Sequence, residues 1–505
     1  MAIVNSILKW IMKKRMHQIE LFKKYPNEVQ EEWLHDLISA AQATEWGKKY
    51  DYESISTPEI FKERVPIQNY DTLKPYIERM LKGEQNILWP SPIKWFAKSS
   101  GTTADRSKYI PVSEEALEDC HYTGGKDLLS IYCQNRPDNA IFDGKGLVLG
   151  GSHQINEIGK TSSGDLSAII VQNLPFWAEF HRFPDIELTL NPNFEEKIEK
   201  IAHLALNENI TSISGVPTWN IVLAKRILEI SGKSNLLEVW PNLEFYFHGG
   251  VSFKPYQEQF NQLIPSDKMY YMENYNASEG YFALQDLPDS DEMLLMLDYG
   301  IYFEFLPMEN LLDEHPKTKS LSEVELGKNY AIIISTNAGL WRYMIGDTVR
   351  FTCLSPYRIQ VSGRTKQYIN TFGEELIVDN AEDAIRAASK ATSAIVKDYT
   401  AGPVYFKDKE AGAHEWIIEF EKRPENTQYF FEVLDQVLRK VNSDYDAKRV
   451  SNLALKEPVI HVAKEGTFYN WMKKRGKLGG QNKVPRLSND RVFLDEVLAM
   501  MAENP

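Results

Sequence analysis

The sequence predicts an α/β protein of two domains: a large N-terminal α/β domain with mixed sheets over residues 1–365, and a smaller, mobile α+β domain over 366–505. Three observations predict it. Apolar runs of strand length alternate with amphipathic helical stretches, the pattern of βαβ units whose ligands gather at the carboxyl ends of strands. Several of those runs end in glycine, as strands do when they feed a turn. After Lys366 the pattern resets into a fresh succession of helix, strand, helix and strand. At 505 residues the chain also exceeds what one hydrophobic core ordinarily holds.

Composition narrows the class. Hydrophobic content of 43% and charged content of 25% are those of an ordinary globular enzyme. A net charge of −14 argues against a nucleic-acid scaffold or an anionic membrane surface as the main partner. Cys120, Cys133 and Cys353 are too few and too scattered for a disulfide framework or a zinc site. At the N-terminus, Ile3, Ile7, Trp10, Ile11, Ile19 and Phe22 have helical spacing, and the apolar part precedes the basic cluster, the reverse of a secretory signal. An amphipathic docking helix is expected there, and no uncharged apolar run is long enough to span a bilayer. The expected location is the cytoplasm.

Residues up to about 50 read as two helices, the second presenting Trp33, Leu34, Leu37 and Ile38 on one face. Trp95-Phe96-Ala97 reads as a strand entering the loop Ser99-Ser100-Gly101-Thr102-Thr103, and Ser113 to Leu117 as a capped helix leaving it. Taken alone, such a loop is either an ordinary surface Ser/Thr turn or a cradle of hydroxyls and N–H groups for phosphate oxygens. It is not a Walker loop, because GxxxxGK[ST] is absent from it. Helix is expected over Leu117–Tyr132, Phe194–Asn207 and Asn220–Ile230, a buried strand ending in glycines over Gly146–Gly151, and a strand running into a turn over Ile210–Pro217. Two further strands run into turns, Leu243–Phe247 into His248-Gly249-Gly250 and Lys268–Tyr275 into Asn276-Ala277-Ser278-Glu279-Gly280. His248 reads as a structural histidine, since neither HxxxH nor HExxH accompanies it. Glu279 is either a solvated turn residue or a hard oxygen ligand for magnesium.

Met293–Leu306 and Tyr330–Thr336 alternate and should add antiparallel strands. Asp347, after Gly346, is either a plain turn residue or a carboxylate accepting from a ribose diol. Gly363-Arg364 ends a strand, and a basic hairpin follows. The small domain then shows helix over Asp379–Ala388 and Tyr429–Val441, and strand over Trp416–Phe420 and Val459–Val462. Its late segment Trp471–Arg486 holds Lys473, Lys474, Arg475, Lys477, Lys483 and Arg486 with no acid, so it is a solvated face or a phosphate-seeking loop.

The order of these pieces is more specific than any one of them. SSGTT followed by SKYIPV, then YNASEG, GLWRYMIGD, the HEWIIEF strand and GGQNKVPR resembles the auxin-responsive acyl-acid amido synthetases within the adenylate-forming superfamily. These are the plant enzymes that conjugate auxin or jasmonate to amino acids, and their bacterial relatives. The likeness runs from Val65-Pro66 to Arg486.

The resemblance implies the adenylate-forming fold and, residue by residue, a site. Ser99, Ser100, Gly101, Thr102 and Thr103 would surround the ATP phosphates, with Ser100 and Thr103 taking a catalytic part. Gly249 and Gly250 would bring bare backbone to the adenine, and Tyr275 would stack on its face. Ala277 and Tyr343 complete the nucleotide contacts, Ser278 would touch the α-phosphate, and Glu279 would hold Mg2+. Asp347 would bind the ribose hydroxyls beside Arg364, Lys366 would lie near the hinge, and Lys483 would stabilise the adenylation transition state. One departure stands out: Asp105 replaces a glycine common in the family loop, which puts a negative charge beside the triphosphate and leaves the parts of Arg106 and Lys108 open.

The implied reaction joins a small carboxylic acid to an amino acid through an acyl-adenylate, with release of pyrophosphate and AMP by a monomer. An acyl-CoA or arylacetate-CoA ligase would share the first step, and a non-catalytic nucleotide-binding protein would lack the late lysine. Leu117–Leu129, Val216-Pro217-Thr218-Trp219 and Tyr299-Gly300 are the segments expected around the acyl group.

Overall fold

A computed structural model describes residues 14–99, 108–149, 155–174, 179, 181–191, 193–250, 253, 256–311, 313–365, 368–369, 376–404, 412–442, 445–446, 449, 455–477, 483–488 and 490–503. The chain divides into two compact units, residues 1–345 with 349–360, and residues 346–348 with 361–505.

In the first unit the helical residues 14–24 bury Ile19 and Phe22, while Ile3, Ile7, Trp10 and Ile11 lie outside the described residues. Arg15 fixes this segment: its guanidinium donates to Asp127 at 2.8 Å and to Asp298 at 2.9 Å, a buried network that holds only because both carboxylates answer the charge. Helix α1 (Pro26–Ala41) turns Leu34, Leu37 and Ile38 inward. Helix α2 (Tyr70–Leu81) opens on a capping box, in which the Thr72 N–H donates to Asn69 Oδ1 at 3.1 Å and the Asn69 N–H to Thr72 Oγ1 at 3.0 Å.

Strands β1 (Trp95–Ser99) and β2 (Lys108–Val112) pair antiparallel, Trp95 opposite Val112. Ser113 to Leu117 is expected as a helix directly after the Ser/Thr/Gly loop, and the structure inserts β2 between them. Pro111 disguised this strand, since proline reads as a breaker, but β2 lies at a sheet edge where a missing N–H is tolerated. Ser113 then caps the next segment, its Oγ accepting from the Ala116 N–H at 2.9 Å. Ala116–Tyr122 winds with π-helical hydrogen bonding before α3 (Thr123–Asn135) resumes the ordinary pitch.

Next come β3 (Lys145–Leu149), β4 (Asn156–Ile158), β5 (Thr161–Gly164), β6 (Arg182–Phe183), α4 (Phe194–Ala205), β7 (Ile210–Gly215), α5 (Pro217–Ser231), β8 (Phe245–Gly249) and β9 (Tyr270–Ala277). After them run β10 (Gly280–Leu284), β11 (Met293–Leu295), β12 (Ile301–Pro307), β13 (Asn329–Thr336), β14 (Tyr343–Leu354) and β15 (Tyr357–Arg364). One sheet of four strands has the order β2-β1-β5-β4, and one of eleven has the order β12-β13-β14-β15-β11-β10-β9-β8-β7-β3-β6. Pairing is parallel from β6 through β3, β7 and β8 to β9, and turns antiparallel at the β9–β10 hairpin. The sheet is mixed, as expected. Ile201 and Ala205 of α4, Ile227 of α5 and Ile213 and Tyr246 of the sheet join one buried cluster. Covering helices and parallel strands reinforce each other here, because a parallel sheet has to bury both faces.

The second unit contains β16 (Tyr368–Ile369), β17 (Leu376–Ile377), α6 (Val378–Thr392), β18 (Ile395–Val404), β19 (Ala413–Lys422), α7 (Thr427–Val441), β20 (Val459–Ala463), α8 (Thr467–Lys474) and α9 (Val492–Glu503). Strands β18, β19 and β20 form a three-stranded sheet in that order. Trp416 and Ile418 of β19 pack with Ile385 of α6 and Phe430 and Leu434 of α7. Lys366 and residues 478–482 of the late basic loop lie outside the described residues.

Candidate active site

The carboxyl ends of β8 and β9 lie side by side, with Gly249 opposite Asn274. A Cβ on Gly249 would meet the Asn274 carbonyl oxygen at 2.5 Å, so only glycine permits this approach. Gly250 follows with φ +81, a left-handed turn that exposes backbone at the strand end. The Asn274 amide holds the corner by donating to the His248 carbonyl at 2.9 Å. His248 itself is buried against Phe253 with ring centroids 4.1 Å apart, and burial drives its pKa down to about 3. It is a neutral packing residue.

Ser278 and Glu279 are the two tip residues of the β9–β10 hairpin, since Ala277 pairs with Gly280. Ser278 is 3% exposed, and its Oγ has no hydrogen-bond partner among the described residues. Glu279 stands beside it, half-buried. Tyr275 is 8% exposed and its ring packs on Phe282 at 4.9 Å, so little of either face is left uncovered. Tyr343 is buried at the start of β14, where the Met344 N–H donates to the Gln68 carbonyl at 2.9 Å. The preceding Arg342 has φ +42, and its guanidinium is held by Glu304 at 2.8 Å and by the carbonyls of Lys62 and Val65. Those contacts over-determine a backbone that an arginine would otherwise avoid.

The second unit holds Asp347, Arg364 and Lys483. Arg364 Nε lies 2.9 Å from Asp347 Oδ1, and the Thr365 N–H donates to the Gly346 carbonyl at 2.8 Å. Lys483 as a residue is exposed, yet loss of solvation at its ammonium, Arg364 and Arg486 pull its pKa down to about 8, with Asp347 opposing. The chain just beyond it is anchored. Thr400 Oγ1 donates to the Pro485 carbonyl at 2.7 Å, the Ala401 N–H to the Arg486 carbonyl at 2.9 Å, and the Arg486 guanidinium pairs with Asp398 and lies 4.5 Å over the Tyr399 ring.

Back in the first unit, Ser278 and Glu279 line a small pocket together with Cys120 and His121 of the π-helical turn. Thr336, Asn337 and Ala338 close it, and Val112 and Ile301 supply apolar wall. Burial pushes the Cys120 thiol up to about 12, and its sulfur accepts from the Tyr281 N–H at 3.1 Å, so it is no nucleophile. Burial holds His121 neutral, with a pKa of about 4, its side-chain hydrogen bond with Asn276 opposing.

Of the residues expected from sequence, Gly249, Gly250, Tyr275, Ala277, Ser278, Glu279 and Tyr343 belong to the first unit, and Asp347, Arg364 and Lys483 to the second. Ser100, Gly101, Thr102 and Thr103 lie outside the described residues, as do Asp105 and Arg106, and of Ser99 only the strand-end backbone is described. Among the segments expected around an acyl group, the one beginning at Leu117 lines the pocket. Trp219 packs against the core cluster instead, and the Tyr299 hydroxyl donates to buried Asp127 at 2.8 Å. Asn337 was missed. Its signal was an Asn-Ala-Gly turn closing the apolar run Tyr330–Thr336.

Comparison with known proteins covers nearly the whole chain. The signature of the GH3 family N-terminal domain matches residues 15–269, that of the central domain 294–364 and that of the C-terminal domain 379–492. The chain is similar to the indole-3-acetic acid-amido synthetase GH3.3 of Arabidopsis thaliana, 25% identical with 94% of this chain and 91% of that protein covered. It is also similar to the jasmonoyl–L-amino acid synthetase JAR4 of Nicotiana attenuata, 25% identical with 96% and 95% covered. Among solved structures, the GH3.15 acyl acid amido synthetase superposes with TM-score 0.79 at 17% identity, covering 96% of this chain and 95% of that one. A 2-hydroxyisobutyryl-CoA ligase in its postadenylation state superposes with TM-score 0.59 at 11% identity, covering 94% and 91%.

Proposed function

The chain belongs to the GH3 family, and from that premise we propose how its residues share the work of an acyl-acid amido synthetase. The enzyme adenylates a carboxylic acid with ATP and conjugates the acyl group to an amino acid. In the first step a carboxylate oxygen attacks the α-phosphorus, the bond to the bridging oxygen breaks, and pyrophosphate leaves. Anions meet anions there, so positioning and positive charge decide the rate. The Ser99–Thr103 loop takes the phosphates, Ser100 and Thr103 with a catalytic part, and Lys483 supplies the mobile cation. Gly249 and Gly250 admit the base, with Tyr275, Ala277 and Tyr343 around it, and Asp347 holds the ribose beside Arg364. In the second step the amine attacks the acyl carbon, AMP leaves with its electron pair, and the amine's proton passes to solvent.

The single observation supporting this arrangement is Ser278. A buried hydroxyl without a partner among the described residues, at a hairpin tip that lines a pocket, suits a donor to an oxyanion. Glu279 beside it is a hard oxygen donor that fits Mg2+, an ion usually held by one or two carboxylates together with substrate phosphates. Bound there, magnesium would neutralise phosphate charge. We also read the protein as a monomer of the cytoplasm from a bacterial branch of the family. No helix among the described residues is long and apolar enough to cross a membrane.

The test is a screen of carboxylic acids against amino acids with Mg-ATP, read by nucleotide product and by product mass. AMP, pyrophosphate and an amide are expected. ADP as the product would overturn adenylation, and a thioester formed with coenzyme A in place of any amide would make the protein a CoA ligase.

A further inference from the structure

Lys483 stands at the first residue of an anchored stretch of the second unit. Val484 packs against the cluster of Ile417, Trp471 and Leu494, and Leu487 is fully buried in the cluster that holds Tyr399 and Trp416. Between them the backbone is tied to β18. The Ala401 N–H donates to the Arg486 carbonyl at 2.9 Å and the Ser488 N–H to the Ala401 carbonyl at 3.0 Å, so Leu487 pairs with Ala401 in parallel register. These bonds attach the segment to the sheet without any help from the Arg486 side chain.

That side chain is nevertheless held from two elements at once. Its guanidinium pairs with Asp398 of β18, donates to the Tyr399 carbonyl at 3.2 Å and lies 4.5 Å over the Tyr399 ring. On its other flank, Arg486 Nε is 3.6 Å from Glu382 of α6, which is 5% exposed and accepts from the Tyr399 hydroxyl at 3.1 Å. Burial pushes both carboxyls up and Arg486 opposes it, so the cation favours their ionised forms. A planar fork can answer two carboxylates and stack on a ring together, which a point charge cannot.

The consequence falls on the lysine three residues away. A guanidinium fixed from β18 and α6 sets the direction in which the chain reaches Lys483. It also keeps a positive charge near that ammonium, where loss of solvation and Arg364 already disfavour the proton and Asp347 favours it. Behind the clamp stand Asp379, facing Glu382, and Glu419, facing Asp398 and paired with Lys397 at 3.2 Å.

We propose that Arg486 is the positioning residue of Lys483: clamped between Asp398 and Glu382, it aims the lysine as a fixed part of the second unit, ready for adenylation. This rests on the reading of the chain as an adenylating synthetase.

The experiment uses the full chain with Mg-ATP and the acid and amino acid that turn over fastest in the screen above. Pyrophosphate release reads the first step, and amide formation from pre-made acyl-adenylate reads the second. Arg486→Met keeps an apolar stem and removes the charge. It should lower kcat for pyrophosphate release by about 10–10²-fold, the scale of a misplacement near 1 Å, with amide formation near the wild-type rate. The fall of kcat/KM for ATP with rising pH should move to higher pH, because a positive neighbour that disfavours the ammonium is gone. Arg486→Lys should keep that fall where the wild type has it and still lose rate, since the fork is gone while the charge stays. Asp398→Asn, of equal shape, loosens the clamp from its other side and should show the same split between the steps, which keeps the test open if Arg486→Met does not fold. Wild-type pyrophosphate release in either Arg486→Met or Asp398→Asn would overturn the proposal. So would equal losses in both steps, the mark of residues that only hold the fold. ADP as the wild-type product, or no pyrophosphate with any acid, would instead overturn the adenylation reading on which it rests.

Discussion

A lysine serves as a cation only while it keeps its proton. Lys483 is held near 8 by loss of solvation and by Arg364 and Arg486, against Asp347. In the free enzyme, which kcat/KM for ATP reports, adenylation should therefore decline as pH rises through about 8. Lys483→Arg should carry activity to higher pH, because a guanidinium keeps its charge there. A wild-type profile flat across that range would remove Lys483 from its charge-stabilising part. Two histidines make the opposite argument at acid pH. His121 and His248 fall from 6.5 to about 4 and about 3, so between those values the unfolded chain binds more protons than the folded one. Their contribution to stability is full above about pH 6.5 and is lost as pH falls toward 4. His248→Phe, which keeps a ring against Phe253, should lose less stability between neutral and acid buffer than the wild type, read as urea midpoints. Equal losses would show that His248 does not drive the acid limb.

At the scale of elements, the pocket depends on how one turn meets one strand end. Gly300→Ala places a Cβ in left-handed backbone and against Asn337, so it should destabilise the protein by more than about 1 kcal/mol in urea unfolding. Unaltered stability would mean that the turn relaxes freely. The long strands and helices were legible in the sequence because β-branched and aromatic runs such as Ala331–Thr336 have few other uses. β2 was not, since Pro111 looks like a breaker until its edge position is known. The π-helical turn was hidden too, because Ala116–Tyr122 has the composition of an ordinary helix. Of the candidate site, the turns at Gly249-Gly250 and Ser278-Glu279 were legible from glycine placement. Asn337 was not, since an asparagine after a buried strand reads only as a turn.

At the scale of the whole molecule, the first unit carries Gly249, Gly250, Tyr275, Ala277, Ser278, Glu279 and Tyr343, and the second carries Asp347, Arg364 and Lys483. The two half-reactions ask for different surroundings, and the expected answer is a rotation near Lys366. Lys366→Pro should stiffen that point and slow amide formation more than adenylation, whereas equal effects would place the hinge elsewhere. In the proposed cycle Lys483 serves adenylation and not acyl transfer. Lys483→Ala, assayed separately for pyrophosphate release and for amide formation from pre-made acyl-adenylate, tests it most directly. A loss of roughly 10²–10³ is expected in the first step, the scale of one transition-state charge contact, with the second near the wild-type rate. A variant equally crippled in both steps would contradict it.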